Sequence, residues 1–492
     1  MSQINVQDLT FYYEGSDDLI FDRVSFQIDT DWKLGFIGRN GRGKTTFLSL
    51  LQGKYEYRGS ISAGELFDYF PYSVKGYNRN TIDIIEETDP GYELWRICRE
   101  LNLMNVGCEV LYRSFATLSN GEQTKVLLAV LFAKEHHFLL IDEPTNHLDM
   151  ESRKKLMEYL DKKKGFILVS HDRDFLDGCI DHVISINKNN ITVTRGNFST
   201  WWEEKENRDH FELAQNEKLK KDIKKLEKSA KAAEGWSDQL EKTKKGEKIA
   251  GLKPDRGHIG HKAAKMMKRS KNLEHRAEAA LEEKTGLLKN LETVEDLKII
   301  PLQHHKEVLV WMQNVEISYD QRIILKDFCM KVRNGDRIAL QGRNGCGKSS
   351  ILKMVLGINK KYNGLLELAS GLVVSYVPQD TSDLSGTLDA FAKQWGVDET
   401  LFKTILRKLD FSRNQFDKRM EMFSEGQKKK VMIARSLSQQ AHLYVWDEPL
   451  NYIDVFSRMQ IEQLILKFKP SMLLVEHDSR FVRDVCTGTV KI

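Results

Sequence analysis

Cysteine and proline are scarce in this 492-residue chain, with six of one and eight of the other. No two of Cys98, Cys108, Cys179, Cys329, Cys346 and Cys486 form a C-x-x-C pair. Their spacing argues against zinc clusters and a disulfide framework, and it fits a reducing cytosol. The opening residues, MSQINVQDLT, lack the basic and apolar regions of a secretion signal. No apolar run approaches the roughly 20 residues needed to span a bilayer. An excess of charge is missing too, since 75 basic residues face 71 acidic ones. At a net +4 the chain is no polycation, so contact with nucleic acid would need a local concentration of charge. The 41% apolar and 30% charged residues suit a soluble globular protein, and the length allows about three domains.

What the chain does have is a repeat. GRNGRGKT at 38–45 returns as GRNGCGKS at 342–349. LIDEPTNHLD at 140–149 returns as VWDEPLNYID at 445–454, and LVSHD at 168–172 as LVEHD at 474–478. LSNGEQTKVLLA at 118–129 has its partner in FSEGQKKKVMIA at 423–434. Four motifs in one order at a near-constant offset mean a duplicated domain. Each half reads as α/β, with short apolar strands that end in polar residues, where open parallel sheets place ligands.

The first motif follows G-x-x-x-x-G-K-[ST]. Glycines Gly38, Gly41 and Gly43, and in the repeat Gly342, Gly345 and Gly347, let backbone N–H groups curl around phosphates. Asn40, Thr46, Asn344 and Ser350 complete the two loops. Lys44 and Lys348 would hold the β- and γ-phosphates of a triphosphate, and Thr45 and Ser349 would ligate Mg²⁺. Asp142 and Asp447 end the next apolar strand, placed to hold the same ion. Glu143 and Glu448 follow, placed as general bases for an attacking water.

The motif set resembles the ATP-binding cassette (ABC) ATPases: phosphate loop, signature S-x-G-[EQ], apolar strand with Asp-Glu, then a switch histidine. The resemblance implies two ATPs sandwiched head to tail within one chain. One site would join Lys44, Thr45, Asp142, Glu143 and His171 to Ser424 and Gly426. The other would join Lys348, Ser349, Asp447, Glu448 and His477 to Ser119 and Gly121. It also implies that Tyr13 and Tyr319 stack on adenine and that Gln379 reaches Mg²⁺ from a lid loop. Two positions depart from the pattern. Tyr72 stands where the first cassette should carry the lid glutamine, and Glu425 puts a carboxylate in the second signature, where it should repel a γ-phosphate. Both touch the first site, so the two sites are expected to differ in rate.

Between the halves lies a charged segment. Leu219, Ile223, Leu226, Ala230, Ala233, Trp236 and Leu240 step by heptad spacing, and so do Leu273, Ala277, Ala280, Lys284, Leu287, Leu291 and Val294. Two such helices predict an antiparallel hairpin. Residues 242–271 hold eleven Lys or Arg against two acids. Within them, IAGLKPDRGHIG at 249–260 cannot continue either helix. The expected organisation is α/β, with two tandem ABC-type P-loop ATPase domains at 1–202 and 301–492. An α-helical antiparallel hairpin linker at 203–300 joins them, with a basic tip at about 242–262. Leu252, Lys253, Pro254, Asp255, Arg256 and His258 would form the tip. Lys244, Lys245, Lys253, Arg256, His258, Lys262, Lys265, Lys268, Arg269 and Lys271 would meet RNA phosphates.

Two cassettes with a charged helical linker and no membrane domain resemble the F subfamily of ABC proteins. TDWKLGFIGRNGRGKTT, QTKVLL, KKGFILVSHDR, MKRSK and WDEPLNYIDVF are similar to the Lsa-type antibiotic-resistance proteins. That resemblance implies a cytoplasmic, monomeric ATPase that needs ATP and Mg²⁺. It implies as partners the E site of the bacterial 70S ribosome, with its 23S rRNA, and the P-site tRNA, and neither DNA nor a transmembrane subunit. Its role would be to displace lincosamides, streptogramin A and pleuromutilins. The alternatives are a housekeeping or regulatory translation factor without a drug role, and the ATPase subunit of an exporter.

Overall fold

A computed structural model of the chain describes residues 2–14, 19–146, 148–187, 190–215, 221, 224, 261, 264, 265, 268, 271, 272, 276, 297–319, 322–359 and 361–492. Two units separate: Met1–Trp201 with Val294–Ile492, and Trp202–Thr293.

In the first unit, each half of the repeat builds the same cassette. The first runs β1 (Gln3–Tyr12), β2 (Leu19–Asp29), β3 (Lys33–Ile37), α1 (Lys44–Leu51), β4 (Arg58–Ser62), β5 (Leu66–Phe70), α2 (Thr81–Thr88) and α3 (Leu94–Leu103). It continues with α4 (Asn120–Ala133), β6 (His137–Asp142), α5 (Met150–Asp161), β7 (Phe166–Val169), α6 (Arg173–Cys179), β8 (His182–Asn187) and β9 (Asn190–Arg195). The second runs β10 (Val308–Tyr319), β11 (Arg322–Arg333), β12 (Arg337–Gln341), α7 (Lys348–Val355), β13 (Asn363–Leu368), β14 (Val374–Val377), α8 (Leu388–Gln394), α9 (Glu399–Lys408) and α10 (Arg413–Phe416). There follow α11 (Glu425–Ser438), β15 (Leu443–Asp447), α12 (Val455–Phe468), β16 (Met472–Val475), α13 (Ser479–Val485) and β17 (Gly488–Lys491).

The strand orders are β5-β6-β7-β3-β8-β9 and β14-β15-β16-β12-β17. Both sheets are parallel apart from the β8–β9 hairpin. The apolar runs explain this: β7, β15 and β16 are buried at every residue, as strands covered on both faces must be. In each cassette a three-stranded antiparallel sheet, β2-β1-β4 or β11-β10-β13, packs its apolar face on the phosphate-loop helix. Parallel strands carry their polar ends to one edge. Lys44, Asp142 and His171 therefore meet although far apart in sequence, and so do their counterparts.

Helix starts are encoded locally. Asp149, Asp172, Asp454 and Asp478 each accept a hydrogen bond from the backbone three residues on, and so open α5, α6, α12 and α13. The signature is a reciprocal cap. Ser119 with Glu122, and Ser424 with Gln427, form capping boxes at the heads of α4 and α11.

In the second unit, 202–215 are helical, as are residues 221, 224, 261, 264, 265, 268, 271, 272 and 276. The expected tip residues Leu252, Lys253, Pro254, Asp255, Arg256 and His258 lie outside the described residues. So do Lys244, Lys245, Lys262, Arg269 and the heptad positions of the hairpin. Lys265, Lys268 and Lys271 are helical and exposed. No helix among the described residues is long and apolar enough to cross a membrane.

Candidate functional site: two composite nucleotide sites

Each phosphate loop turns from strand to helix through left-handed glycines. Gly41 and Gly345 have φ 80, and a Cβ added to either would meet nothing within 4 Å, so the loop wall is open backbone. Gly43 has φ 93, and a Cβ there would stand 2.5 Å from Ile20 Cγ2. Lys44 Nζ donates to the carbonyls of Gly38 at 2.6 Å and Arg39 at 3.3 Å. Lys348 Nζ donates to those of Gly342 at 2.8 Å and Arg343 at 2.9 Å. Burial lowers the pKa of Lys44, against the opposing charges of Asp454, Glu143 and Asp142.

The carboxylates repeat the same construction. Thr45 Oγ1 donates to Asp142 Oδ2 at 3.0 Å, and Ser349 hydrogen-bonds Asp447. Glu143 and Glu448 sit at φ 50 and 46, strained for a residue with a Cβ. Their amides bond the carbonyls of Val169 and Val475, which aims both side chains past the strand ends. His171 Nε2 lies 3.3 Å from Glu143 Oε1, and His477 Nε2 lies 3.5 Å from Glu448 Oε1. These are the expected pairings of base and switch histidine.

The residues fit ATP with a divalent cation. Asp447 keeps Oδ1 buried without a hydrogen-bond partner. Hydroxyl, carboxylate and amide oxygens are the hard donors that Mg²⁺ takes. Asp142, Thr45, Asp447, Ser349 and Gln379 would hold the ion, which would neutralise phosphate charge. The chain's own task is then to hold the phosphates with the loop amides and lysines, and to accept a proton from water at Glu143 or Glu448.

The cassettes meet head to tail. At the first site, Asn40 Nδ2 donates to the Tyr452 carbonyl of the opposite cassette at 2.8 Å. Gly426 comes so close to this loop that an added Cβ would stand 3.0 Å from Asn40 Nδ2. The capping Ser424 is two residues from that contact. At the second site, Asn120, between Ser119 and Gly121, joins Arg153 in lining a 460 Å³ cleft. The cleft's other walls carry Asn344, Gly345, Gly347, Lys348, Ser349, Ser350, Gln379, Glu448, Asn451 and His477. Arg343 reaches Glu151 across this joint at 3.6 Å. Arg173 with Glu462 (2.5 Å), Arg480 with Asp177 (3.7 Å) and Arg483 with Asp174 (3.7 Å) extend the contact between cassettes.

Tyr13 stands beside the first loop. Its hydroxyl is 2.8 Å from Thr46 Oγ1, and its ring meets Phe11 and Tyr55 edge-on. Tyr319 closes β10 at the matching position.

The two departures acquire a geometry. Tyr72 is turned from Asp142: its pKa is raised by burial, its hydrogen bond goes to Thr88, and the charge beside it is Asp68. Tyr69 takes up Asp142 instead, donating to Oδ2 at 2.9 Å. Glu425 is held by Thr381 Oγ1 at 3.0 Å and Lys428 Nζ at 3.0 Å. Both partners belong to its own cassette, so the carboxylate expected to repel phosphate is engaged and neutralised.

Arg153 and Arg458 were not singled out by any motif. Arg153 binds the Leu148 carbonyl and Asp172, next to His171, and it lines the cleft of the other site. Arg458 binds the Ile453 carbonyl and Asp478, next to His477, and its charge reaches Glu143. The one available signal was an arginine four residues after each motif aspartate.

Folding shifts the two general bases in opposite directions. Burial, then the charge of Asp142, pushes the Glu143 carboxyl up to about 8, against Arg458, Lys44 and Arg153. Burial also works against Glu448. There, the hydrogen bond and charge of His477, with Gln379 and Lys429, prevail and hold it down at about 2. Burial takes His171 well below its ordinary value, with Lys44 and Arg458 adding to it, so it is neutral near pH 7.

The family model described as ABC transporter matches residues 21–146 and 325–451. The ATP-binding protein Uup of Buchnera aphidicola subsp. Acyrthosiphon pisum is 25% identical, covering 98% of this chain and 79% of its own. The Ribosome protection protein VmlR of Bacillus subtilis is 26% identical, over 98% of this chain and 85% of its own. ABC transporter F family member 2 of Arabidopsis thaliana is 22% identical, over 100% of this chain and 76% of its own. Among solved structures, RNase-L Inhibitor superposes with a TM-score of 0.62 at 19% identity, covering 99% of this chain and 87% of its own.

Proposed function

The chain belongs to the ABC transporter family and is an ATPase of that type, and from this premise we propose that it works on the ribosome as an F-type member. In this reading, two ATPs with Mg²⁺ close the cassettes, and the closed protein occupies the E site of the bacterial 70S ribosome against 23S rRNA. The linker tip, with Lys253, Arg256 and His258, extends toward the peptidyl-transferase centre and the P-site tRNA. Bound lincosamide, streptogramin A or pleuromutilin then leaves, and hydrolysis releases the protein, which is cytoplasmic and acts as a monomer.

One observation carries the reading: the phosphate loop of each cassette meets the other cassette, so nucleotide at each site can gate one closed body. Lys265, Lys268 and Lys271, each helical and exposed, supply cations for phosphate. The relative named a ribosome protection protein supports it along nearly the whole chain.

The test is the Glu143→Gln, Glu448→Gln double variant, which keeps the phosphate lysines and the ion's donors but lacks both bases. It should bind ATP, hydrolyse almost none, and pellet with 70S particles only when ATP is present. Equal pelleting with and without nucleotide would reject gating by closure. A deletion strain with unchanged susceptibility to all three drug classes would leave a translation factor without a drug role.

A further inference from the structure

A buried ammonium loses its hydration and needs acceptors in return. α11 buries two consecutive lysines with different partners. Lys430 Nζ donates to the Leu409 carbonyl and to Asp454 Oδ2, each at 2.8 Å. Lys429 is 2% exposed and ends on three backbone carbonyls: Pro378 at 2.8 Å, Gln379 at 3.0 Å and Asp447 at 3.4 Å. An ammonium has three N–H donors and no acceptor, so three carbonyls satisfy it completely.

Those carbonyls belong to two parts of the second site. Pro378 and Gln379 form the lid loop, and Asp447 ends β15 immediately before Glu448. The Gln379 side chain hydrogen-bonds Glu448. At its head the same helix carries Gly426, which comes close to Asn40 of the first site's phosphate loop. Among the described residues, the first cassette shows no such tie. Thr124 stands at the matching position of α4, too short to span the gap, and Tyr69 secures Asp142 from the neighbouring strand instead.

We propose that Lys429 is a positioning residue of the second site, locking the Gln379 lid and the Asp447–Glu448 turn to the signature helix so that they move as one body. Without the ammonium, the three carbonyls lose their donor, and water is the nearest replacement. The lid would swing toward solvent and take Gln379 from Glu448. The inference rests on the ATPase reading of the sites and is independent of any ribosomal role.

The experiment compares Lys429→Met, which keeps length without a donor, and Lys429→Gln, which keeps a donor. Each is made in the Glu143→Gln background, where turnover comes from the second site, and in the Glu448→Gln background, where it comes from the first. In the former, Lys429→Met should lower kcat about tenfold, the scale of a modest misplacement, with KM for ATP changed less than about threefold. Lys429→Gln should fall between. In the latter, turnover should drop less than about twofold. Hydrogen exchange without nucleotide should rise about tenfold over 374–382 in Lys429→Met and stay unchanged over 66–75. Equal losses in both backgrounds, or an unchanged lid, would overturn the proposal in favour of general packing. Should the Met variant not fold, the Gln variant carries both readouts; failure of both to fold would also overturn it. Pelleting with ribosomes plays no part, so either reading can fail alone.

Discussion

The sharpest expectation concerns the two single base substitutions. With Glu143 held at about 8, its ionised fraction at pH 7 is about one in eleven, while Glu448 at about 2 is fully ionised. Only the ionised carboxylate accepts a proton from water. If the sites are otherwise alike, the second performs about eleven of every twelve turnovers at pH 7. Glu448→Gln should therefore remove about 90% of steady-state ATPase, and Glu143→Gln about 10%. The pH profile adds a second reading. The raised carboxyl is protonated below its pKa, so the activity left in Glu448→Gln should climb about tenfold from pH 7 to 9. The activity left in Glu143→Gln should stay flat over that range, because its base already ionises near 2. A cation on Asp142 would cancel that residue's share of the shift but leave the larger share, burial. The gap narrows and the order holds. The assay is phosphate release at saturating ATP and Mg²⁺ from pH 6.5 to 9. Greater loss from Glu143→Gln, or a flat profile for Glu448→Gln, refutes the reasoning.

Three further outcomes follow from single contacts. Gly426→Ala places a Cβ 2.5 Å from the Tyr452 carbonyl and 3.0 Å from Asn40 Nδ2. It should cut first-site turnover, read in the Glu448→Gln background, by at least about tenfold. Arg458→Gln removes a charge that favours ionised Glu143, so first-site activity in the same background should need a higher pH, seen as an upward shift of its profile. Replacing Lys265, Lys268 and Lys271 together by Ala should weaken ribosome pelleting and lower the slope of log affinity against log salt by about 2, at roughly 0.7 per phosphate contact. Ribosome-free ATPase measured on the same preparation should not change.

Some of this was written in short stretches of sequence. The repeat, the P-loop glycines and the Asp-Glu strand ends are each readable in a window of about ten residues. So are the capping serines and the aspartates that open four helices. Local hydrogen bonds and strand periodicity set them, and these need no knowledge of distant chain. The direction of Glu425 was not legible: the carboxylate could face phosphate or its own lid, and Thr381 and Lys428 decide. Nor was that of Tyr72, a loop residue whose partner Thr88 comes from the end of α2.

Tertiary structure alone decided how the halves are joined and how they differ. Asn40 finds the Tyr452 carbonyl 412 residues away, and Arg153 lines the other cassette's cleft. Glu143 and Glu448 follow identical strand ends, yet one is driven up and the other held down. The sequence determined which groups can ionise, donate or ligate, because that is covalent chemistry. Which of them do so depends on desolvation and on charges brought close by folding. Both act through space, and no window of residues contains them.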